Sequence, residues 1–143
     1  MRVAATSDQT GAVELQAARV PALMYFHIPL EQYASVWTPQ CGGLNDDGVT
    51  PVVADGGLYA ALQQQGDVRA TFVGHDHGNT WCCAVNDTST PLSLCYGRHS
   101  GYGGYGDWAR GARVVQLQLL SPGQADWTWS TWVRLEDGTI LPQ

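Results

Sequence analysis

The sequence predicts an α/β fold built around a unit of strand, helix and strand. Three segments support this prediction. Residues 22–27 form a short apolar run typical of a buried strand, a helical pattern lies between Asp55 and Gly66, and Val68–Val73 is rich in β-branched residues. Elements in this order form a βαβ unit, whose parallel strands end at the same edge of a sheet.

The composition is that of a globular protein and argues against nucleic acid or a membrane span. The chain has 143 residues, 44% of them hydrophobic and 14% charged, which is enough for a sizeable core. The net charge is −6 and the basic residues, all arginine, are scattered, so nucleic acid is not an expected partner. No apolar run approaches the roughly 18 residues of a membrane span, and no signal core is recognisable near the N-terminus. The cellular compartment is left open.

A helix is predicted before the first strand. Ser7 or Asp8 can cap its N-terminus, apolar residues recur among polar ones as far as about Arg19, and Pro21 ends it. The strand that follows must end before Pro29, because proline lacks the N–H group that a sheet ladder needs.

The segment 31–54 is rich in glycine, proline, asparagine and aspartate and is expected to be a long loop, a type of segment that often covers a site. Asp55 is expected to cap the next helix and Gly66 to end it. A later loop, 97–111, is rich in glycine and aromatic residues, which are expected to pack or to line a rim. Antiparallel strands are expected over 81–85, Leu92–Tyr96, 112–120 and 127–135, with a hairpin turn at 137–138.

The four cysteines do not have the spacing of a structural zinc site, because none forms a C-x-x-C pair. Cys82 and Cys83 are adjacent, so on a strand they point to opposite faces. At most one of them can easily reach Cys95 on a neighbouring strand. The disulfide state of all four, Cys41 included, is left open.

Histidines follow the ends of both strands of the βαβ unit. His27 follows the first strand, and His75 and His77 lie on the glycine-flanked turn after the second. Open α/β sheets bind their ligands at the edge where parallel strands end, so we expect these imidazoles to converge there. Imidazole is the commonest metal ligand among side chains, and the three histidines are therefore predicted metal ligands.

Other polar residues near this turn are weaker candidates. Asp76 could orient an imidazole or be a solvated turn residue, and Asn79 is expected to brace the turn. His99 could contact a substrate, although an exposed loop histidine is the simpler interpretation. Arg113, just inside a strand, is expected to pair with a carboxylate rather than to bind phosphate.

Three blocks of the sequence resemble the C-terminal half of a calcineurin-like metallophosphoesterase, in particular the branch related to purple acid phosphatases. The blocks are Tyr-Phe-His-Ile-Pro-Leu at 25–30, the Gly-His-Asp-His turn within 67–79, and the segment 94–115. Together they span most of residues 22–120.

This resemblance implies a β-sandwich flanked by helices and a centre of two metal ions, Fe, Zn or Mn. It implies that His27 and His75 bind one ion and His77 the other. It also implies that a hydroxide activated by both ions hydrolyses a phosphate ester.

The resemblance is incomplete, because the family's Asp-x-His, Gly-Asp-x-x-Asp and Gly-Asn-His motifs do not occur in this chain. Only residues 1–21 precede the strand that leads into the first matching block. We therefore expect residues 1–143 to form a single partial domain that is incomplete as an enzyme: a truncated product, a partial gene model, or a half-domain that needs another chain. The expected partners are the missing N-terminal half or a second copy of this chain.

Three functions are compatible with the sequence. The first is a phosphoric-ester hydrolase of the two-metal type, here represented by part of its domain. The second is a non-catalytic binding or scaffolding module of the same fold, acting through the aromatic part of the later loop, Gly97–Trp108. The third is a mononuclear site built from the three predicted histidine ligands. The substrate, the metal and the compartment are not determined by the sequence.

Overall fold

The computed structural model describes residues 20–85, 90–121 and 126–143 in full, and the backbone of residues 4–7 and 13–16. Within these residues the strands form three sheets. The first pairs β1 (Ala4–Ser7) with β2 (Val13–Gln16). The second has the order β3 (Ala22–Tyr25), β4 (Val68–Val73), β6 (Leu92–Tyr96), β5 (Cys82–Val85), and the third the order β7 (Gly111–Leu119), β8 (Trp127–Leu135), β9 (Ile140–Pro142). The helices are α1 (Tyr33–Val36) and α2 (Leu58–Gln65).

The N-terminal helix predicted from Ser7 or Asp8 to Arg19 is wrong. β1 and β2 pair antiparallel in its place. The rest of that prediction falls on residues 8–12 and 17–19, which lie outside the described residues. The sequence itself disfavours the helix, because a glycine would occupy its interior at a cost of about 1 kcal/mol relative to alanine. Threonine and valine in the same segment favour strands.

The βαβ unit and its parallel sheet are confirmed. β4 lies between β3 and β6 and runs parallel to both, whereas β5 is antiparallel to β6. β3 ends at Tyr25, before the predicted end at His27, but backbone hydrogen bonds continue past it. The N–H of Phe26 donates to the carbonyl oxygen of Phe72 at 3.1 Å, and the N–H of Gly74 donates to that of His27 at 3.0 Å. After a shift of register between Ala22 and Leu23, β3 and β4 therefore stay paired up to the edge where the histidines lie.

The helix of this unit, α2, has the predicted C-cap at Gly66, whereas its N-cap position is Gly57 and Asp55 binds the first turn from two residues earlier. The two carboxylate oxygens of Asp55 accept the backbone N–H groups of Gly57 and Tyr59, at 2.8 and 2.9 Å. At the other end Gly66 has a φ of 63° and donates its N–H to the carbonyl oxygen of Leu62. Glycine adopts this left-handed conformation without the steric cost that a Cβ atom imposes. Among the described helices, none is long and apolar enough to cross a membrane.

Tyr33 attaches the segment 31–54 to the central sheet. The prediction of an irregular loop missed the short helix α1, on which Tyr33 lies fully buried. The Tyr33 hydroxyl is 2.8 Å from the hydroxyl of Thr71, and its ring packs 5.5 Å from that of Trp81 and 5.4 Å from that of Tyr96. One face of the central sheet is thus covered by this segment and by α2.

The other face of the central sheet packs against the β7–β8–β9 sheet. Phe72 of β4 contacts the edge of Trp129 of β8 at a ring-centroid distance of 5.9 Å, and Val115 of β7 packs against the same cluster. Two sheets therefore face each other across an apolar layer, with helices on the outer side. The predicted α/β class with a sandwich-like arrangement is confirmed.

Two disulfides join β5 to its surroundings. Cys82 bonds to Cys95, which lies directly opposite on β6, and Cys83 bonds to Cys41 in the segment 31–54. Neighbouring residues of a strand point to opposite faces, which is why the two bonds lead in different directions. As predicted, only one of the adjacent cysteines reaches Cys95.

We expect the Cys41–Cys83 disulfide to stabilise the fold more than the Cys82–Cys95 disulfide, because it closes a chain segment of 42 rather than 13 residues. The chain-entropy relation gives losses of free energy of unfolding of about 4 and about 3 kcal/mol for the two double alanine variants. Urea unfolding of C41A/C83A, with C82A/C95A as the matched control, measures this difference. An equal loss, or the reverse order, would contradict the expectation.

Candidate functional site

The three parallel strands β3, β4 and β6 end at one edge of the central sheet, and the segments that follow them form a cavity. The cavity has a volume of about 160 Å³. All four histidines of the chain line it: His27 after β3, His75 and His77 after β4, and His99 after β6. Topology alone therefore brings together side chains that are as many as 72 positions apart in the sequence.

His27 and His75 form a direct pair at this edge. Their ring centroids are 5.4 Å apart and the ring planes are nearly perpendicular, at 79°. Gly74 makes the approach feasible, since a Cβ atom there would lie 3.3 Å from the Nδ1 atom of His27. His75 has a φ of 71°, a left-handed conformation that non-glycine residues rarely adopt and that is enriched at functional sites.

His77 lies between two other rings. Its ring is stacked on that of Tyr105, with centroids 4.1 Å apart and planes 15° from parallel, and its other neighbour is His99 at 3.9 Å. The Nδ1 atom of His77 is 2.9 Å from the backbone carbonyl oxygen of Tyr105. Because a carbonyl oxygen only accepts hydrogen bonds, Nδ1 must carry the proton. In the neutral ring Nε2 is then unprotonated, and its lone pair is free to bind a ligand.

Asp76 lines the same cavity, but its carboxylate is buried and engaged in hydrogen bonds. It is 4% exposed, and its Oδ2 atom accepts hydrogen bonds from the Tyr96 hydroxyl at 2.6 Å and from the backbone N–H of Thr50 at 3.1 Å. Burial, together with this hydrogen bond and the charge of Asp76, raises the pKa of Tyr96. The side chain thus ties the histidine turn to β6 and to the segment 31–54, and within the described residues it forms no hydrogen bond to an imidazole.

Asn79 connects the same turn to the segment 31–54. Its Oδ1 atom accepts the backbone N–H of Asp47 at 3.1 Å, and its Nδ2 atom donates to the carbonyl oxygen of Gly48 at 3.5 Å. His99 lines the cavity and is partly buried. Its Nε2 atom is 2.8 Å from the carbonyl oxygen of Gly103, and its buried Nδ1 atom has no hydrogen-bond partner within the described residues.

Sequence reasoning missed Asp47, which is central to the hydrogen bonds around this turn. Its Oδ2 atom accepts the Tyr105 hydroxyl at 2.5 Å and the backbone N–H of Gly78 at 3.4 Å. Although desolvation opposes it, the hydrogen bonds from Tyr105 and the backbone lower the pKa of Asp47. The Asn-Asp-Asp-Gly run around Asp47 signals a turn, but nothing in that local signal indicates contacts 31 and 58 residues away.

Arg113 does not pair with the carboxylate that its position suggested. Its guanidinium donates to neutral acceptors: the carbonyl oxygens of Tyr96 at 2.5 Å and Thr80 at 2.6 Å, the Thr131 hydroxyl at 3.0 Å and the Gln143 side chain at 3.2 Å. Burial lowers the pKa of Arg113 to about 10. The residue therefore links the two facing sheets and is not available to a phosphate group.

The histidines described so far do not by themselves make a complete metal centre. In residues 20–85, 90–121 and 126–143, no group of three or more His, Cys, Asp or Glu side chains is arranged to hold one ion. His27 and His75 form a pair, His77 packs against His99 and Tyr105, and the nearest carboxylates are engaged in hydrogen bonds. A two-metal centre requires further ligands, including carboxylates. The assignment of His27, His75 and His77 as metal ligands stays a prediction.

Comparison with known proteins identifies the family. Over 129 residues the chain is 36% identical to a protein of Arabidopsis thaliana named probable inactive purple acid phosphatase 29, a match that covers 85% of this chain and 32% of the relative. The chain is a purple acid phosphatase-related region. The chain is also 35% identical to two further proteins of the same plant: probable inactive purple acid phosphatase 14, over 130 residues, and probable inactive purple acid phosphatase 28, over 125 residues.

This purple acid phosphatase-related region spans about a third of the length of the curated relatives it matches, at 32%, 31% and 30%. No family model matches the chain. No solved structure matches it either. The resemblance to purple acid phosphatases that the His-x-Pro and Gly-His-Asp-His blocks indicated is confirmed. The names of these relatives describe them as probable inactive members of that group.

We expect the position of the His27 ring to depend on the absence of a side chain at Gly74. In Gly74→Ala, the new methyl group would displace the His27 ring, because its Cβ would lie 3.3 Å from Nδ1. The ring resonances of His27 and His75 in ¹H–¹⁵N spectra should shift, while those of His77 should change little. Gly101→Ala is the matched control, since nothing lies within 4 Å of its added Cβ. Unchanged His27 resonances in G74A would contradict the described pairing.

Proposed function

We propose that this region supplies the histidine side of a two-metal phosphoesterase centre and folds as part of a larger metallophosphoesterase domain. The observation that carries the proposal is the pairing of His27 and His75 at the strand-end edge, 5.4 Å apart, with His77 held in the same cavity. Imidazole ligands of this kind suit Fe, Zn or Mn ions. The remaining ligands, including the carboxylates, would come from sequence that this chain does not contain.

Within such a centre the residues of this chain would act by binding and orientation. His27 and His75 would hold one ion and His77 the second, and a phosphate ester would be the substrate. The buried bond from Tyr96 to Asp76 and the backbone bonds at Asn79 would keep the turn rigid around them. Because the chain's own donors do not complete the centre, no catalytic step is assigned to it alone.

Exposed apolar side chains support the proposal that further sequence of the domain covers this region. Leu117 and Leu119 on β7 are 56% and 68% exposed, and Tyr25 on β3 is 62% exposed. A cavity of about 430 Å³ lies near Tyr25, Phe72 and Val115. Large apolar side chains exposed in this way are typical of interfaces when they form a patch. Since the relatives are about three times as long, the natural occupant is the rest of the same domain.

A second candidate is a non-catalytic module of the same fold. Two observations favour it: the relatives are named probable inactive, and the described residues contain no group of three metal-binding side chains. This candidate predicts no metal binding at the histidine pair, so metal titration separates the two candidates.

We expect Zn²⁺ to bind the chain through His27 and His75. Either His27→Ala or His75→Ala should weaken Zn²⁺ binding at least about tenfold in isothermal titration, because each removes one of two ligands. His99→Ala is the matched control, since it removes an imidazole from the same cavity but not from this pair, and its affinity should stay within about threefold of the original. Absent binding, or affinity unaffected by both His27 and His75 variants, would overturn the proposal and favour the non-catalytic module.

In isolation we expect the chain to associate with itself through the exposed apolar face of β7. The double variant L117E/L119E should reduce this association, because it places charges where apolar side chains would otherwise meet. Q116E/Q118E is the matched control, since it adds the same charges to the opposite face of the strand. Sedimentation velocity measures the result, and a monomeric chain before any substitution would contradict the expectation.

A further inference from the structure

We propose that Tyr105 is a positioning residue for His77: it holds the ring in the tautomer protonated on Nδ1 and so leaves Nε2 as the nitrogen available to a ligand. What Nε2 would bind rests on the proposed function above. The tautomer itself is a property of this chain alone and can be measured without any metal.

Three separate contacts from Tyr105 converge on His77. The backbone carbonyl oxygen of Tyr105 is 2.9 Å from Nδ1, its hydroxyl oxygen accepts the backbone N–H of His77 at 2.9 Å, and its ring is stacked on the imidazole. The first contact selects the protonated nitrogen, because a carbonyl oxygen can only accept. The other two restrict the backbone position and the plane of the ring. Together they determine both the orientation and the tautomer of the imidazole.

Tyr105 is itself held in place by residues from distant segments. Its hydroxyl donates to the Oδ2 atom of Asp47 at 2.5 Å, and the ring of Trp108 packs edge-on at 5.9 Å. Gly104 has a φ of 87°, and a Cβ atom there would lie 2.8 Å from the Cε1 atom of His77. The glycine therefore allows the loop backbone to approach the ring closely enough for the carbonyl oxygen of Tyr105 to reach Nδ1.

The loop 97–111 offers a matched control for this role. Tyr102 lies in the same loop and also donates its hydroxyl to a carboxylate, that of Glu136, at 2.8 Å. It is 83% exposed, and its hydroxyl bond leads away from the histidine turn. Removing the Tyr102 hydroxyl therefore also deletes a bond from this loop to a carboxylate, but it leaves the contacts to His77 in place.

The test measures the tautomer of each histidine in the metal-free, ¹⁵N-labelled chain by long-range ¹H–¹⁵N correlation, at a pH where the imidazoles are neutral. In the unsubstituted chain His77 should be protonated on Nδ1. Tyr105→Phe keeps the stacking and the backbone carbonyl oxygen, but it loses the bonds to Asp47 and to the His77 backbone that hold this oxygen against Nδ1. With the carbonyl oxygen less firmly placed, the Nε2-protonated form should become detectable. Tyr105→Ala should increase it further, whereas Tyr102→Phe should leave the His77 spectrum unchanged.

Two results would overturn the positioning role: a His77 ring protonated on Nε2 in the unsubstituted chain, or an unchanged tautomer in Tyr105→Phe. Because Tyr105→Phe removes only a hydroxyl group, its result decides the matter even where Tyr105→Ala does not fold. A purely structural role would lower the thermal midpoint without changing the tautomer.

Zn²⁺ binding distinguishes failure of this inference from failure of the proposed function. If Nε2 of His77 is a ligand, Tyr105→Phe should weaken the binding associated with His77 by about tenfold or more. A tautomer change in a chain that binds no Zn²⁺ would overturn the proposed function and support the positioning role. If the chain binds Zn²⁺ but the His77 tautomer is unchanged in Tyr105→Phe, the proposed function is supported and the positioning role is overturned.

Discussion

The site depends on the parallel register of three strands, which continues as backbone hydrogen bonds beyond the strand ends. The carbonyl oxygen of His27 accepts the N–H of Gly74 at 3.0 Å, and the carbonyl oxygen of Val73 accepts the N–H of Gly97 at 2.7 Å. These bonds place the segments after β3, β4 and β6 side by side, each with a histidine at or near its start. Any change of register would separate them, since a slip by one residue reverses the direction of every side chain.

Around this register, buried polar groups keep the histidine turn in an uncommon conformation. His75 has a positive φ, which for a non-glycine residue costs of order 1–3 kcal/mol and persists only where the surroundings enforce it. Asp76, buried between Tyr96 and Thr50, and Asn79, bonded to Asp47, are those surroundings. All of these hydrogen bonds join residues of this chain, so the fold itself restrains the turn that carries His75 and His77.

The parts of this structure that sequence could predict are those with local signals. Strands β4, β6 and β8 have apolar or alternating patterns, α2 is bounded by Asp55 and Gly66, and the histidines follow strand ends. The prediction for the N-terminal segment was wrong, because pairing between two short strands overrode a weak helical pattern. Asp47, and its bond to Tyr105, were missed for a different reason: the bond joins residues 58 positions apart, and no local pattern encodes such a contact.

The two disulfides at adjacent positions of β5 have a consequence for how the chain folds. Cys82 faces β6 and Cys83 faces the segment 31–54, so an exchange of partners would require β5 to shift by one residue and to turn its inward side chains outward. Of the three ways to pair four cysteines, only the observed one is compatible with this strand alignment. Oxidation therefore selects among alignments, and a chain synthesised in a reducing compartment would have to find the same alignment through hydrogen bonding and side-chain packing alone.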